Sequence, residues 1–414
     1  FVYLRQWLED AFPNTNIMLF NGAVAGSTSE YMAVCTDMHV PRNASLVILE
    51  YSHNDLHHVN ECHRPMDNMH RRSFERLVRK VLALPNRPAV LLLNLYAFHE
   101  TSPVKGAYWD NADHAFSEFS TYYELPTVSV KACCYHLMLA QQPGFRVDVR
   151  ARTPETFDEL KGETFYSDGV HGSGDTGHRV FAELIIHLLL AAREGLKNLP
   201  LNDDDLAIAA TPLPAPMVAG NEPHTSDHCL LAHNLVKAVK GAPEGFEWVD
   251  ERRHGQQAKL GFVSRVAGSS ISFVIDTTSV VDARDAHQAA SANNSYVSVG
   301  IMHLKSYEHM GRATVTCGGG CTCKGDLVLD GHQERQVSQT HMHPFFASHA
   351  PACTITVTVA KDTTSGGHKV KIQGLFVSEE ARAGDGGAWD AAVTNGVLDQ
   401  VDRIEGQLMP AFIG

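Results

Sequence analysis

The stretch Leu46-Val-Ile-Leu-Glu-Tyr-Ser-His-Asn-Asp55 indicates a short buried strand that runs into a polar loop. Residues 89–95 repeat the buried-strand pattern, and residues 17–20 are predicted as a further strand that ends in Asn-Gly. Strands that are apolar on both faces are typical of a parallel sheet covered on two sides. Parallel strands need long crossover connections, so we expect helices between these runs.

Helical spacing of apolar residues occurs where those crossovers are expected. Residues 1–12, 74–82 and 176–193 each place apolar side chains three and four positions apart. This spacing predicts amphipathic helices that pack one face on the sheet. Residues 1–195 are therefore predicted as a domain of the α/β class with a three-layer αβα architecture.

The pattern changes after residue 195. Residues 196–243 combine an acidic run with Pro-rich segments and are predicted as a linker. β-Branched runs separated by turn residues follow, and they predict a β-sandwich over residues 244–380 with a tail at 381–414. The predicted strands are 259–266, 270–275, 296–304, 313–317, 327–329, 354–360 and 370–377.

Composition excludes several classes of protein. The chain has 414 residues, of which 44% are hydrophobic and 20% charged, so disordered and collagen-like classes are excluded. A formal net charge of −13 without a basic run argues against nucleic acid as a partner. No apolar stretch reaches the length of a transmembrane helix. The chain begins with Phe1 instead of Met, and we interpret it as a segment of a longer protein.

Three predicted loops carry residues with catalytic potential. Ligands of open parallel sheets bind beyond the carboxyl ends of the strands. The loop after the first predicted strand contains Gly26, and Asn54 follows the second. Asp168 and His171 lie three residues apart, directly before the last helix of the domain. A carboxylate at this spacing can orient the imidazole.

The order Gly26, Asn54, Asp168-Gly-Val-His171 resembles that of the SGNH hydrolases, or GDSL-type esterases and lipases, over residues 1–195. The resemblance implies a flavodoxin-like αβα fold and a serine esterase. It also implies that His171 is the general base and that Asp168 holds the imidazole in place. The Gly26 backbone amide and the Asn54 side chain would supply two oxyanion donors.

One part of the family pattern is missing. The family's nucleophilic serine lies in a Gly-Asp-Ser block before the first helix, and no such block occurs in the sequence. Gly174-Asp-Thr176 is similar but follows the Asp-His pair. We expect the nucleophile upstream of Phe1, so that the chain as given is truncated and inactive. Ser27, Ser29 and Ser52 are interpreted as residues that cap or close turns.

The predicted function is hydrolysis of an ester of a carbohydrate or another small polar substrate through an acyl-enzyme, without a cofactor or metal. The alternative is a non-catalytic glycan-binding or cell-surface protein with a degenerate hydrolase domain. A third hypothesis is a metal-dependent hydrolase that uses the histidine-rich loop after Asn54. That loop contains His53, His57, His58, His63 and His70.

Aromatic residues of the β-rich half are candidate sugar-stacking groups, although a role in the hydrophobic core is the commoner one for such residues. They are Trp248, Tyr296 and Tyr307.

The cysteines leave two alternatives open. Four of the nine cysteines lie close together in the last third of the chain: Cys317, Cys321, Cys323 and Cys353. They are either disulfide-bonded, in a pairing that the sequence leaves undecided, or buried free thiols. A metal site of these thiols with His341 and His343 fits no usual zinc spacing. Sequons at Asn43 and Asn293, together with the cysteines, favour a secreted, cell-surface or lumenal protein over a cytoplasmic one.

Overall fold

The structure is a computed structural model, and its described residues form two compact units. The described residues are 1–24, 27–55, 66, 68–98, 111–149, 160–167, 171–223, 229–252, 259–278, 296–334 and 338–377. Among the described residues, the first unit comprises Phe1–Ser29 and His39–Asn221, and the second comprises Glu30–Met38 and residues 222–377. Each unit has its own hydrophobic core.

The first unit contains a three-stranded parallel sheet in the order β1-β2-β3. The strands are β1 (Leu46–Leu49), β2 (Ala89–Asn94) and β3 (Thr127–Ser129). Six helices belong to this unit in the described residues: α1 (Val2–Ala11), α3 (Met69–Leu82), α4 (Asp113–Tyr122), α5 (Val130–Leu139), α6 (Gly177–Asn198) and α7 (Asp203–Ala210). Helix α2 (Ser29–His39) begins in this unit, but its residues 30–38 are assigned to the second. The predicted α/β class with a parallel sheet is confirmed.

Helices cover both faces of the sheet. Leu91 and Leu93 of β2 pack in one cluster with residues of α1 and α6. Side chains alternate along a strand, so Val90 and Leu92 point to the opposite face. Helices α3 and α4 contact β2 and β3 but contribute nothing to the α1–α6 cluster, so they cover this opposite face. This is the three-layer arrangement predicted from the helical and strand patterns.

The second unit is a β-sandwich, as predicted. An antiparallel sheet in the order β10-β12-β8-β14-β6-β5, with β4 also paired to β14, faces a four-stranded sheet in the order β11-β9-β13-β7. One core cluster draws on both sheets. The strands are β4 (Cys229–Leu231), β5 (Glu247–Asp250), β6 (Leu260–Ser264), β7 (Ser270–Ile275), β8 (Tyr296–Lys305), β9 (Arg312–Gly318), β10 (Cys323–Lys324), β11 (Val328–Asp330), β12 (Gln339–Ser348), β13 (Cys353–Val359) and β14 (Val370–Val377).

Two details of the predicted strands are wrong. Residues 17–20 form no strand, and Met18 and Phe20 are 84% and 61% exposed. An apolar run becomes a strand only where a neighbouring strand completes its hydrogen bonds. Conversely, five observed strands have no counterpart among the predicted ones: the short β3, β4, β5 and β10, and the ten-residue β12. Strand β12 contains Pro344, which cannot donate to a ladder and weakens a strand pattern.

The stretch predicted as a linker, 196–243, contains regular elements. Helix α7 begins with a capping box made by Asn202 and Asp205. Strand β4 joins the larger sheet of the sandwich, and α8 (Ala232–Lys237) follows it directly. The predicted tail, 381–414, lies outside the described residues.

Three disulfides link cysteines in the described residues. Cys317 pairs with Cys323, Cys321 with Cys353, and Cys35 with Cys229. The disulfide alternative for the C-terminal cysteines is therefore the correct one, and these sulfurs are not thiolate ligands. Cys133 and Cys134 of α5 are free thiols.

No helix within the described ranges combines the length and apolar character that a bilayer crossing requires.

Candidate functional site

The loop that follows β1 is tied to the end of β2. Ser52 Oγ donates a hydrogen bond to the Leu95 carbonyl oxygen at 3.0 Å. Asn111 Nδ2 donates to the same carbonyl at 2.8 Å. The polar segment from Glu50 to Asp55 therefore lies at the carboxyl edge of the sheet, where ligands of such sheets bind.

Asn54 and Asp55 fix the segment that enters α2. Asn54 Nδ2 donates to the Ser27 carbonyl oxygen at 3.0 Å, and the Ser29 backbone N–H donates to Asp55 Oδ1 at 2.8 Å. The amide nitrogen of Asn54 carries two hydrogens, so it can hold Ser27 with one and offer the second to a substrate oxygen. Gly26, the other predicted oxyanion donor, lies outside the described residues.

His171 lies in a tight turn directly before α6. Tyr166 and Gly172 pair across this turn as an antiparallel bridge. The His171 carbonyl oxygen accepts hydrogen bonds from the Ser167 backbone N–H at 2.9 Å and from Ser167 Oγ at 3.2 Å. Asp168, the predicted orienting acid, lies outside the described residues.

Close packing holds the base of this turn against the sheet edge. A Cβ on Gly177 would lie 2.5 Å from the Phe165 carbonyl oxygen, so only glycine allows α6 to begin this close to the turn. The buried Tyr166 hydroxyl donates to the Tyr96 carbonyl oxygen and accepts from the Phe98 backbone N–H. Tyr96 and Phe98 follow β2, so the His171 turn is anchored at the same edge of the sheet as Asn54.

Two carboxyl groups share this edge: Asp55 is fully buried, and Glu50 is half-buried with its Oε1 atom enclosed. Burial raises the pKa of Glu50 to about 7; the nearby Asp55 raises it further and His171 opposes the shift. Burial also raises the pKa of Asp55 to about 6, against hydrogen bonds from Ser29 and the charge of Arg71. Perturbed acids in a polar cleft are common at functional sites. Glu50 was not predicted, although a charged residue directly after an apolar strand was a visible signal.

The raised pKa of Glu50 predicts a pH-dependent stability. The folded state favours the protonated acid, so this contribution is complete below pH 4.5 and is lost as the pH rises through 7. Glu50→Gln should remove a pH-dependent term of up to about 3 kcal/mol from the free energy of unfolding. Urea unfolding at pH 5 and pH 8 measures it, with exposed Glu247→Gln as the control. An unchanged pH slope in Glu50→Gln would contradict the assignment.

The serines near the site make contacts typical of turn residues. Ser27 Oγ donates to the Val24 carbonyl oxygen at 2.8 Å, and Ser52 Oγ is engaged with Leu95. Ser29 is fully buried at the start of α2. None of these hydroxyl groups is presented to solvent as a nucleophile would be.

The aromatic candidates for sugar stacking lie in the second unit. Trp248 packs on Phe262 with ring centroids 4.8 Å apart, beside the sandwich core. Tyr307 is exposed, and Lys324 Nζ lies 3.9 Å from the ring centroid of Tyr296.

The predicted histidine loop is only partly described. His53 is half-buried and His70 is buried, whereas His57, His58 and His63 lie outside the described residues.

Solved structures with the same two-part architecture exist. No protein-family model and no curated protein matches the sequence. A two-domain esterase active on acetylated mannans, co-crystallised with mannopentaose, covers 92% of this chain and 84% of its own length at 19% identity, with a TM-score of 0.59. Another crystal structure described as a two-domain esterase active on acetylated mannans gives a TM-score of 0.56 at 19% identity, over 92% of this chain and 85% of that one.

A match to a shorter protein shows only weak structural similarity. A β-1,3-glucan binding CBM6 from Bacillus halodurans matches 34% of this chain and 91% of its own at 9% identity, with a TM-score of only 0.21. The longer matches show that this chain shares the fold of a two-domain protein, an α/β unit with a parallel sheet and a β-sandwich.

Proposed function

We propose that the protein is an SGNH-type serine esterase that removes acyl groups from a carbohydrate. The main support for this function is that Asn54 and the His171 turn are both anchored at one carboxyl edge of the parallel sheet. The fold shared with an esterase active on acetylated mannans supports the substrate class. Acetyl groups on a mannan are therefore the first substrate to test.

The proposed mechanism is acyl transfer in two steps. His171 accepts the proton of the serine hydroxyl while the oxygen attacks the ester carbonyl, and Asp168 stabilises the imidazolium that forms. The Asn54 amide and the Gly26 backbone N–H donate to the oxyanion. His171 then gives its proton to the departing sugar oxygen, and a water molecule activated by His171 releases the acid. No metal or cofactor takes part in these steps.

No serine of the described loops is proposed as the nucleophile. We propose that the nucleophile lies in a Gly-Asp-Ser type block N-terminal to Phe1, since no such block occurs within the 414 residues. The proposed catalytic domain spans residues 1–195, and the proposed carbohydrate-binding sandwich spans residues 244–380. Three disulfides and a polymeric substrate support an extracellular or lumenal location.

Acetate release tests the proposed function. Protein from the complete reading frame is incubated with acetylated mannan and with p-nitrophenyl acetate, in the presence and absence of EDTA. We expect acetate release that EDTA does not reduce. Activity abolished by EDTA and restored by a metal would instead support the metal-dependent hydrolase, and no release from either ester would contradict the proposal.

Asn54→Ala is predicted to lower kcat by about 10²- to 10³-fold, because it removes one oxyanion donor. The substitution also removes the hydrogen bond to Ser27, so folding is checked by circular dichroism. Asn86→Ala is the matched control, because Asn86 is an exposed asparagine that also donates to backbone carbonyls. Equal kcat values for Asn54→Ala and the unaltered protein would remove Asn54 from the mechanism.

A non-catalytic glycan-binding protein is the second candidate. The absence of a Gly-Asp-Ser block from the sequence favours it. This candidate predicts retention on a mannan column without acetate release, and the same retention by the His171→Ala variant.

A further inference from the structure

Three histidines of the β-sandwich converge on one point. Strands β8 and β12 are antiparallel neighbours, and His303 lies directly opposite His341 in their register. His343 follows two residues later, so all three side chains project from the same face of the sheet. One ligand nitrogen from each imidazole lies within 4.8 Å of the other two.

This cluster continues the core-facing row of the sheet. Ile301 and Phe345 belong to the sandwich core, and side-chain alternation places the histidines on their side. His303 and His343 are only 2% and 8% exposed, while His341 is half-buried. Buried imidazoles at this position need a partner, since an unsatisfied buried polar atom costs about 1–3 kcal/mol.

The hydrogen bonds of the cluster leave one ring nitrogen of His343 with a lone pair and one ring nitrogen of His303 without a partner among the described residues. His343 Nε2 is 2.8 Å from the Asp326 carbonyl oxygen, which can only accept, so Nε2 carries the proton and Nδ1 holds the lone pair. His303 Nε2 is buried and has no hydrogen-bond partner within the part of the chain that the structure describes. An N–H directed at a backbone carbonyl is the usual outer support of a metal-bound histidine.

Burial disfavours the charged form of two of these side chains, His341 and His303. It lowers the pKa of His341 to about 4, and the nearby Lys305 and His343 add to the effect. Burial likewise lowers the pKa of His303 well below its usual range, with the neighbouring histidines contributing. Neutral imidazoles are the form that binds a metal ion.

We propose that His303, His341 and His343 form a binding site for a divalent transition-metal ion of the zinc and copper class. Three imidazole nitrogens suit these ions, whereas Ca²⁺ and Mg²⁺ prefer oxygen ligands. Ligands of a tetrahedral zinc ion lie about 3.3 Å apart, so small side-chain rotations close the cluster around the ion. The fourth position is left to water or an added ligand. The ion would cross-link β8 to β12 and stabilise the sandwich, independently of the proposed ester hydrolysis.

Metal titration of the complete chain tests this site. Protein stripped with EDTA and dialysed is titrated with ZnCl₂ and CuCl₂ by calorimetry, and Co²⁺ is added to read the coordination geometry from its visible spectrum. We expect one high-affinity ion per chain, the spectrum of tetrahedral Co²⁺, and a higher melting temperature with zinc. Absence of high-affinity binding of either metal would overturn the proposal.

Substitutions then locate the ion. His341→Asn should weaken binding by at least about 100-fold, since losing a ligand costs more than losing an outer partner. His303→Asn is the second variant and serves only if circular dichroism shows it folded. His309→Asn is the control, because His309 is exposed on the same unit and its φ of 55° suits asparagine. If His341→Asn left the zinc affinity unchanged, or if His309→Asn weakened it equally, the ion would be bound adventitiously by surface histidines and the proposal would fail.

Discussion

Replacing His171 with alanine is expected to lower kcat for ester hydrolysis by at least about 10³-fold, with little effect on folding. Without the imidazole, the proposed general base that takes the proton from the attacking hydroxyl is lost. The backbone around His171 is held by the Tyr166–Gly172 bridge and by hydrogen bonds from Ser167 to the His171 carbonyl oxygen, so the variant should keep its structure. The measurement is kcat on p-nitrophenyl acetate with protein from the complete reading frame.

The control for this variant is His187→Ala. His187 is an exposed histidine on α6, the helix that follows the turn, and should leave kcat unchanged. Equal turnover by His171→Ala and His187→Ala would show that His171 takes no part in catalysis. The SGNH interpretation of the first unit would then fail.

Replacing Glu75 with alanine is expected to reduce the free energy of unfolding by about 3–5 kcal/mol. Glu75 lies fully buried on α3. Its carboxylate accepts hydrogen bonds from the Tyr123 hydroxyl at 2.6 Å, Asn221 Nδ2 at 2.7 Å and the Val218 backbone N–H at 3.2 Å. Removing it takes away the acceptor shared by these buried donors and breaks the hydrogen bonds of Met217 and Val218 to α3, while Asn221 remains bonded to Arg72 and Arg76.

Urea unfolding followed by circular dichroism measures this loss. Tyr123→Phe is the graded control, because it removes one donor from the network and should cost only about 1 kcal/mol. If Glu75→Ala cost no more than Tyr123→Phe, Glu75 would not be the centre of the network.

Strands buried on both faces were predictable from the sequence, and marginal strands were not. Strands β1 and β2 consist almost entirely of apolar residues, so their burial is visible as a run. Strand β3 has only three residues, Thr127–Ser129, and forms because β2 supplies its hydrogen bonds. Strand β12 mixes histidines with Pro344 and is stabilised by its ten-residue ladder with β8, which no local pattern reveals.

The same distinction applies to the candidate site. The positions of Asn54 and His171 at the sheet edge were predictable because Asn54 follows a recognisable strand and His171 precedes a recognisable helix. Glu50 needed the structure, since the burial that raises its pKa is a tertiary effect. Cys35 and Cys229 are separated by 194 residues, and the histidine triad joins two strands through their register. Such contacts arise from topology, which spacing along the sequence does not encode.

Covalent labelling tests the central claim, a serine esterase site at this sheet edge, most directly. Protein from the complete reading frame is treated with a fluorophosphonate that reacts with activated serines, and the adduct is located by peptide mass spectrometry. We predict one adduct per chain, on a serine of a Gly-Asp-Ser type block N-terminal to Phe1, and loss of labelling in His171→Ala. An unlabelled protein, or labelling that His171→Ala does not reduce, would contradict the account.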